Sequence, residues 1–242
     1  MSNSSAVLTI KKTLHEAAEA CAASVLESLQ QDLKLQPRAT LAISGGSSPR
    51  FMFSKMAQAD FDWSRVHIFW VDERCVPPND SQSNFRMANE TLLSAAKIPD
   101  ANVHRIYGEL PPDEAAARYA SEIKQFFSLA DGQMPVFDVL HRGMGVEGHT
   151  ASLFPGEPLI NDTTHIAAHV YVEKVKMDRV TLLPGVLRAA KRTVLQVAGA
   201  DKAEAVREVL NGPENPMLYP CQIAARDSRA TWFLDEPAAA LL

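Results

Sequence analysis

Residues 137–156 read FDVLHRGMGVEGHTASLFPG, and the order of residue types along this stretch decides the fold. Phe137, Val139 and Leu140 have the character of a buried strand end. Gly143, Gly145 and Gly148 follow within six residues, dense enough for the backbone to take positive φ and approach a ligand that a Cβ would block. His149 comes next, and the pattern places it where a strand stops and a new helix starts. In open α/β sheets that junction is the usual ligand position. A tight turn with an idle histidine fits the same residues, so the stretch needs support from the rest of the chain.

Working outward, segments of two periods alternate. Leu14, Ala18, Cys21, Val25, Leu26, Leu29 and Leu33 recur at helical spacing, and Pro37 ends that helix. ATLAIS (39–44) is a β-prone run broken by Gly45-Gly46-Ser47-Ser48-Pro49, and Pro49 suits the first turn of a helix carrying Phe51, Phe53, Met56 and Ala57. VHIFWV (66–71) is a continuous apolar run suited to a strand covered on both faces. Asp72-Glu73-Arg74 lies just past its end. Residues 83–94 read as helix, 103–108 as a short strand, and Asp113 as the cap of a helix holding Tyr119, Ile123 and Phe127. Downstream, 165–175 reads as strand, 179–190 as strand then helix, 193–199 as strand, 202–210 as helix, and 230–235 as a last strand. Such alternation predicts a mostly parallel sheet with helices on both faces, a Rossmann-like three-layer α/β/α arrangement. No repeat or linker divides the chain, so a single domain over 1–242 is expected.

Composition narrows the classes of function. The chain is 46% hydrophobic and 22% charged, an ordinary globular balance that argues against extended disorder. A net charge of −5 argues against a nucleic-acid or acidic-membrane partner. No apolar run is long enough to span a bilayer, and MSNSSAVLTIKK lacks the basic and apolar regions of an export signal. Cys21, Cys75 and Cys221 are far apart, which indicates neither a disulfide frame nor a zinc knuckle. A cytoplasmic protein is the expectation, monomeric or weakly homo-oligomeric.

Four strand ends carry polar chemistry. Ser44, Gly45, Gly46 and Ser47, between a strand and a helix, would aim backbone N–H groups and hydroxyls at one point, where the helix dipole favours an anion. The loop is neither a Walker A sequence nor a GxGxxG fingerprint. Arg74 at the end of the second strand can grip a phosphate through two parallel hydrogen bonds, and Asp72 beside it can orient a base or a hydroxyl. His149, with Glu147 and the glycines, is the candidate general base; a helix N-terminus there would keep its ring neutral. Gly143, Gly145 and Gly148 offer backbone donors to an oxyanion. Lys202, in a first helical turn, works against the dipole unless it serves a ligand. No histidine pair has HExxH-like spacing, so no metal and no cofactor are expected.

Taken together, LAISGGSSPR (41–50), WVDERCVPPNDSQSN (70–84), FDVLHRGMGVEGHTASLFPG (137–156), RVTLLPGVL (179–187) and GADKAEAV (199–206) resemble the 6-phosphogluconolactonases. The wider superfamily includes the glucosamine-6-phosphate deaminases, which share the early glycine loop and a G-x-G-x-x-G-H turn. Those typically follow the histidine with an I-A-F-N-E-P-like segment and carry D-E-Y. Thr150 to Pro155 and Arg74 point to the lactonase side. The family usually has Asp where Glu147 stands, and apolar or small residues where His141 and Arg142 stand. The resemblance implies hydrolysis of 6-phospho-D-glucono-1,5-lactone to 6-phosphogluconate in the pentose phosphate pathway, with His149 activating water and with Ser44 to Ser48, Arg74 and Lys202 holding the phosphate. A deaminase acting on an amino-sugar phosphate and a non-catalytic sugar-phosphate sensor are the alternatives.

Overall fold

The computed structural model describes residues 5–242. In the first half of the chain, β1 (Val7–Lys11), α1 (Leu14–Leu35), β2 (Ala39–Ile43), α2 (Ser47–Gln58) and β3 (Val66–Trp70) precede β4 (Asp72–Arg74), α3 (Asn84–Ala88), β5 (Val103–His104) and α4 (Pro112–Phe127). The second half contains β6 (Val139–Arg142), β7 (Ala167–Val172), β8 (Met177–Leu182), α5 (Pro184–Ala189), β9 (Thr193–Val197), α6 (Ala203–Asn211) and β10 (Ala230–Asp235). Among the described residues, no helix is long and apolar enough to cross a membrane. Residues 1–4, part of the stretch read as lacking an export signal, lie outside the described residues.

Seven strands form one sheet in the order β1-β10-β9-β6-β2-β3-β5, with every pairing parallel. Strand alternation puts helices on both of its faces. On β9 and β10, Val194 and Phe233 join a core cluster that includes Cys21, Val25 and Leu29 of α1. Their neighbours Leu195, Trp232 and Leu234 pack instead with Val206, Val209 and Leu210 of α6. This is the expected three-layer α/β/α arrangement. Helix α1 starts on a capping box: the Glu16 N–H donates to Thr13 Oγ1, and the Thr13 N–H donates to the Glu16 carboxylate.

The sheet order also locates a crevice. From β2 the chain goes on to β3 and β5 on one side, whereas from β6 it goes to β9 and β10 on the other. Because β2 and β6 are neighbours, the loops leaving their carboxyl ends diverge, and a ligand can enter between them.

Four elements differ from the sequence reading. Residues 7–11 form an edge strand, missed because its apolar side chains are exposed and show no buried face. Asp72-Glu73-Arg74 is more than the end of the preceding strand. After Trp70 the chain leaves the main sheet, and these residues pair with β8 in a second, antiparallel sheet of order β4-β8-β7. Pro111 occupies the N-cap of α4, so Asp113 acts from within the first turn through the dipole. The largest difference follows β6. No helix begins at His149; the chain turns repeatedly, with positive φ at Gly148 (82°), Ala151 (52°) and Gly156 (83°), each incompatible with continuing a right-handed helix.

Candidate active site

A cleft of about 190 Å³ opens where the loops after β2, β6 and β9 meet the second sheet. Ser44, Gly45, Gly46 and Ser47 form one wall, and Gly143, Gly145 and His149 another. Asp72, Arg74 and Lys202 complete the residues expected there. Glu147 and Gly148 stand outside the lining, behind the histidine.

The first wall is shaped by two glycines. Gly46 has φ 128°, which only glycine adopts without strain. A Cβ on Gly45 would lie 1.8 Å from Asn84 Oδ1, so the close approach of α2 to α3 needs a bare backbone. Helix α2 then begins without any side-chain cap, and its first turn of Ser47, Ser48 and Pro49 borders the cleft. Uncapped N–H groups and the positive dipole end give that wall the chemistry that favours an anion.

His149 is held on three sides. Its Nδ1 lies 2.9 Å from Glu147 Oε2, its ring stacks on Phe154 with centroids 4.0 Å apart, and it covers Gly145 so closely that a Cβ there would sit 2.1 Å from the imidazole. The hydrogen bond from His149, together with one from Lys174 to the other carboxylate oxygen at 2.5 Å, holds the Glu147 carboxyl well below the usual carboxylate range. With Nδ1 donating to Glu147, Nε2 is the nitrogen left to accept a proton. A helix dipole therefore plays no part at this histidine, and Glu147 rather than Asp72 is its carboxylate partner.

The glycine turn also corrects one expectation. The Gly145 N–H donates to the His149 carbonyl and the Gly148 N–H to the Gly145 carbonyl, both at 3.0 Å. These two donors stabilise the turn and are not aimed at the cleft. Gly148 instead makes room for Tyr219, whose ring carbon would be 2.7 Å from an added Cβ.

The cleft concentrates polar atoms that lack protein partners. Among the described residues, Ser44 Oγ, Arg74 Nε, Arg179 Nε and Gln196 Oε1 are buried without a hydrogen bond, and all four side chains border this one cleft. Arg74 and Arg179 are directly opposed on β4 and β8, an arrangement of like charges that costs stability unless an anion lies between them. Asp72 partly offsets it, 4.0 Å from Arg179, while accepting from Ser152 Oγ at 2.8 Å. Lys202 Nζ donates to the Ala198 carbonyl at 2.9 Å, which fixes its ammonium at the end of β9. Glu73 faces away from the cleft: burial raises its pKa, yet it accepts from the N–H groups of Arg74, Asn84 and Phe85 and from Ser83 Oγ, anchoring α3. Arg179, Asn84 and Gln196 are cleft residues that sequence reasoning missed. Arg179 opens the RVTLL run, and only the β4–β8 register reveals that it faces Arg74.

A family profile described as glucosamine-6-phosphate isomerases/6-phosphogluconolactonase matches residues 12–232. The chain belongs to this family. Within it, a 6-phosphogluconolactonase of Synechocystis is 32% identical over 96% of this chain and 95% of its own length. One from Treponema pallidum is 38% identical over 84% and 86%. The crystal structure of the Thermotoga maritima 6-phosphogluconolactonase is 28% identical and superposes with a TM-score of 0.82, covering 95% of this chain and 99% of that one. A monomeric glucosamine-6-phosphate deaminase, 18% identical with a TM-score of 0.83 over 98% of this chain and 100% of its own, shares the fold.

The family resemblance leaves His141 and Arg142 unexplained, and the structure shows what each of them touches. Both are fully buried on β6, below the glycine turn. Burial pushes the His141 imidazole down to about 3, so it packs as a neutral ring edge-on to Phe53. Arg142 donates to the Ile223 carbonyl and, at 3.4 Å, to Thr150 Oγ1, which itself donates to the Gly143 carbonyl at 3.0 Å. Arg142 thus braces the turn that carries His149.

Proposed function

We propose that this protein hydrolyses 6-phospho-D-glucono-1,5-lactone to 6-phosphogluconate, the lactonase step of the pentose phosphate pathway. The observation that carries the reading is the opposition of His149, tied through Nδ1 to Glu147, to an uncapped helix N-terminus with Lys202 beside it across one small cleft. A doubly charged phosphate suits the Ser44–Ser48 loop, Lys202 and the arginine pair, whose buried Nε atoms lack protein partners. The far end of the substrate then presents its C1 carbonyl to His149.

The bond changes are those of ester hydrolysis. His149 Nε2 takes a proton from a water whose oxygen attacks C1, giving a tetrahedral oxyanion. As the C1–ring-oxygen bond breaks, the imidazolium returns the proton to the departing oxygen. Glu147 steadies the imidazolium between these steps. Since the Gly145 and Gly148 N–H groups are held within the turn, the oxyanion falls to the Gly143 N–H. Asp72, fixed by Ser152, is assigned to a sugar hydroxyl. Positioning and one base suffice, with no covalent intermediate.

The test generates the lactone in situ with glucose-6-phosphate dehydrogenase and follows its loss against spontaneous opening. Acceleration by the wild-type protein, lost in His149→Ala while 6-phosphogluconate still binds, is the expected result. No acceleration, or release of ammonia from glucosamine 6-phosphate, overturns the reading.

A further inference from the structure

We infer that Lys174, on the turn joining β7 to β8, is a positioning residue that offsets the charge of Glu147 from its far oxygen and so sets how readily His149 takes a proton. The inference rests on the reading of His149 as the general base, and names the group that regulates it.

The two Glu147 oxygens divide their work. Oε2 meets His149 Nδ1 at 2.9 Å and Oε1 meets Lys174 Nζ at 2.5 Å, so imidazole, carboxylate and ammonium form one row. A carboxylate alone beside an imidazole favours the imidazolium, which cannot accept a proton from water. An ammonium on the far oxygen offsets that pull while leaving the orienting hydrogen bond intact. No helix N-terminus lies at His149 to supply positive potential, and Lys174 supplies it from another part of the chain.

Other groups around the row do not duplicate this contact. Arg179 lies 5.7 Å from the centre of the Phe154 ring, the ring that stacks on His149. Asp72, Arg74 and Lys202 border the cleft side, and Tyr219 packs under Gly148. Within hydrogen-bond range, Glu147 has only His149 and Lys174 as side-chain partners among the described residues. The lysine reaches it from a tight turn, Glu173–Val175 followed by Lys176 at φ 48°. Its side chain is 59% exposed against 23% for Glu147, so packing does not demand a lysine there and salt can screen its charge.

The experiment compares the wild type with Lys174→Met and Lys174→Arg by two readouts. In protein labelled at histidine, NMR follows the His149 imidazole through its titration; in parallel, kcat/KM for lactone hydrolysis is measured from pH 5 to 8. Removing the cation should move the His149 midpoint and the acid limb of kcat/KM upward together by about 0.5–1 pH unit. Below the midpoint this is a loss of roughly threefold to tenfold in kcat/KM, vanishing at high pH. Lys174→Arg should restore the wild-type curve, and added salt should shift the wild type toward Lys174→Met. Coincident imidazole titrations for the wild type and Lys174→Met overturn the inference. Failure of the wild-type protein to hasten lactone loss is a separate result: it sinks the lactonase reading, while the NMR titration still decides whether Lys174 tunes the ring.

Discussion

The two ends of strands β2, β6 and β9 carry similar chemistry with opposite outcomes. At their amino ends, Asp138 accepts from the Thr40 N–H and hydroxyl, from Gln36 and from Lys191, and Asp32 pairs with Arg192 at 2.6 Å. Burial would raise the Asp138 pKa, but Lys191, Gln36 and Thr40 outweigh it and hold the carboxyl low. At the carboxyl ends of the same strands, Ser44 Oγ and Gln196 Oε1 have no partner, and two arginines face each other nearby. A buried polar group without a partner costs about 1–3 kcal/mol, so a site that keeps several together is shaped for something other than stability. One end fastens the sheet, and the other is left open to a polar ligand.

Substitutions should separate the two ends. The largest effect belongs to His149→Ala, which removes the proposed base and should lower kcat by about 10²–10⁴-fold while leaving the denaturation midpoint near that of the wild type. Steady-state kinetics and urea unfolding of the same preparation check both halves. At the other end, Asp138→Ala leaves Lys191, Gln36 and Thr40 without their shared acceptor and should cost roughly 3 kcal/mol in urea unfolding. Its kcat should match the wild type. A large kcat loss in Asp138→Ala, with stability intact, would erase the contrast.

A third substitution concerns the strand that joins the two ends. His141 is held neutral by burial, with its folded value down to about 3 against an unfolded value near 6.5. Between those values the unfolded chain binds a proton that the folded chain refuses. Stability is therefore fully present above about pH 6.5 and is lost as pH falls, by about 2 kcal/mol at pH 5. His67, pushed down to about 4 by burial and by His104 and Arg38, adds a loss of the same sign. His141→Leu should flatten the fall in unfolding free energy between pH 7.5 and 5 and leave a smaller slope from His67. An unchanged slope would show that His141 does not carry this acid sensitivity.

Much of this contrast is legible in the amino-acid sequence alone. VHIFWV and TVLQVAG announce strands because both of their faces are covered, and the turn residues after 43 and 197 announce the helices beyond them. Reading failed where meaning depends on distant partners. Arg179 looks like an ordinary strand residue until β8 is placed against β4. The Gly-rich run before His149 imitates a strand–helix junction, yet the positive φ values at Gly148, Ala151 and Gly156 turn the chain away from a helix. Lys174 lies 27 residues from Glu147, and nothing local in either segment forecasts their contact.

The smallest expected effect is the most discriminating. Ser44→Ala deletes a buried hydroxyl that has no protein partner, so the free protein loses no hydrogen bond and sheds a desolvated polar atom. Its unfolding free energy should stay within about 0.5 kcal/mol of the wild type or rise slightly. The same hydroxyl is proposed to meet the substrate phosphate, so KM for the lactone should rise by about threefold to tenfold, the equivalent of one ordinary hydrogen bond. Thermal protection by inorganic phosphate, which follows from its binding to the folded state, should shrink in step. A carboxyl-end residue that is neutral for folding and costly for binding is the inverse of Asp138, where the loss should fall on folding alone. If Ser44→Ala instead destabilises the free protein and leaves phosphate protection intact, the open end of the sheet is a structural seam and the phosphate seat must lie elsewhere in the cleft.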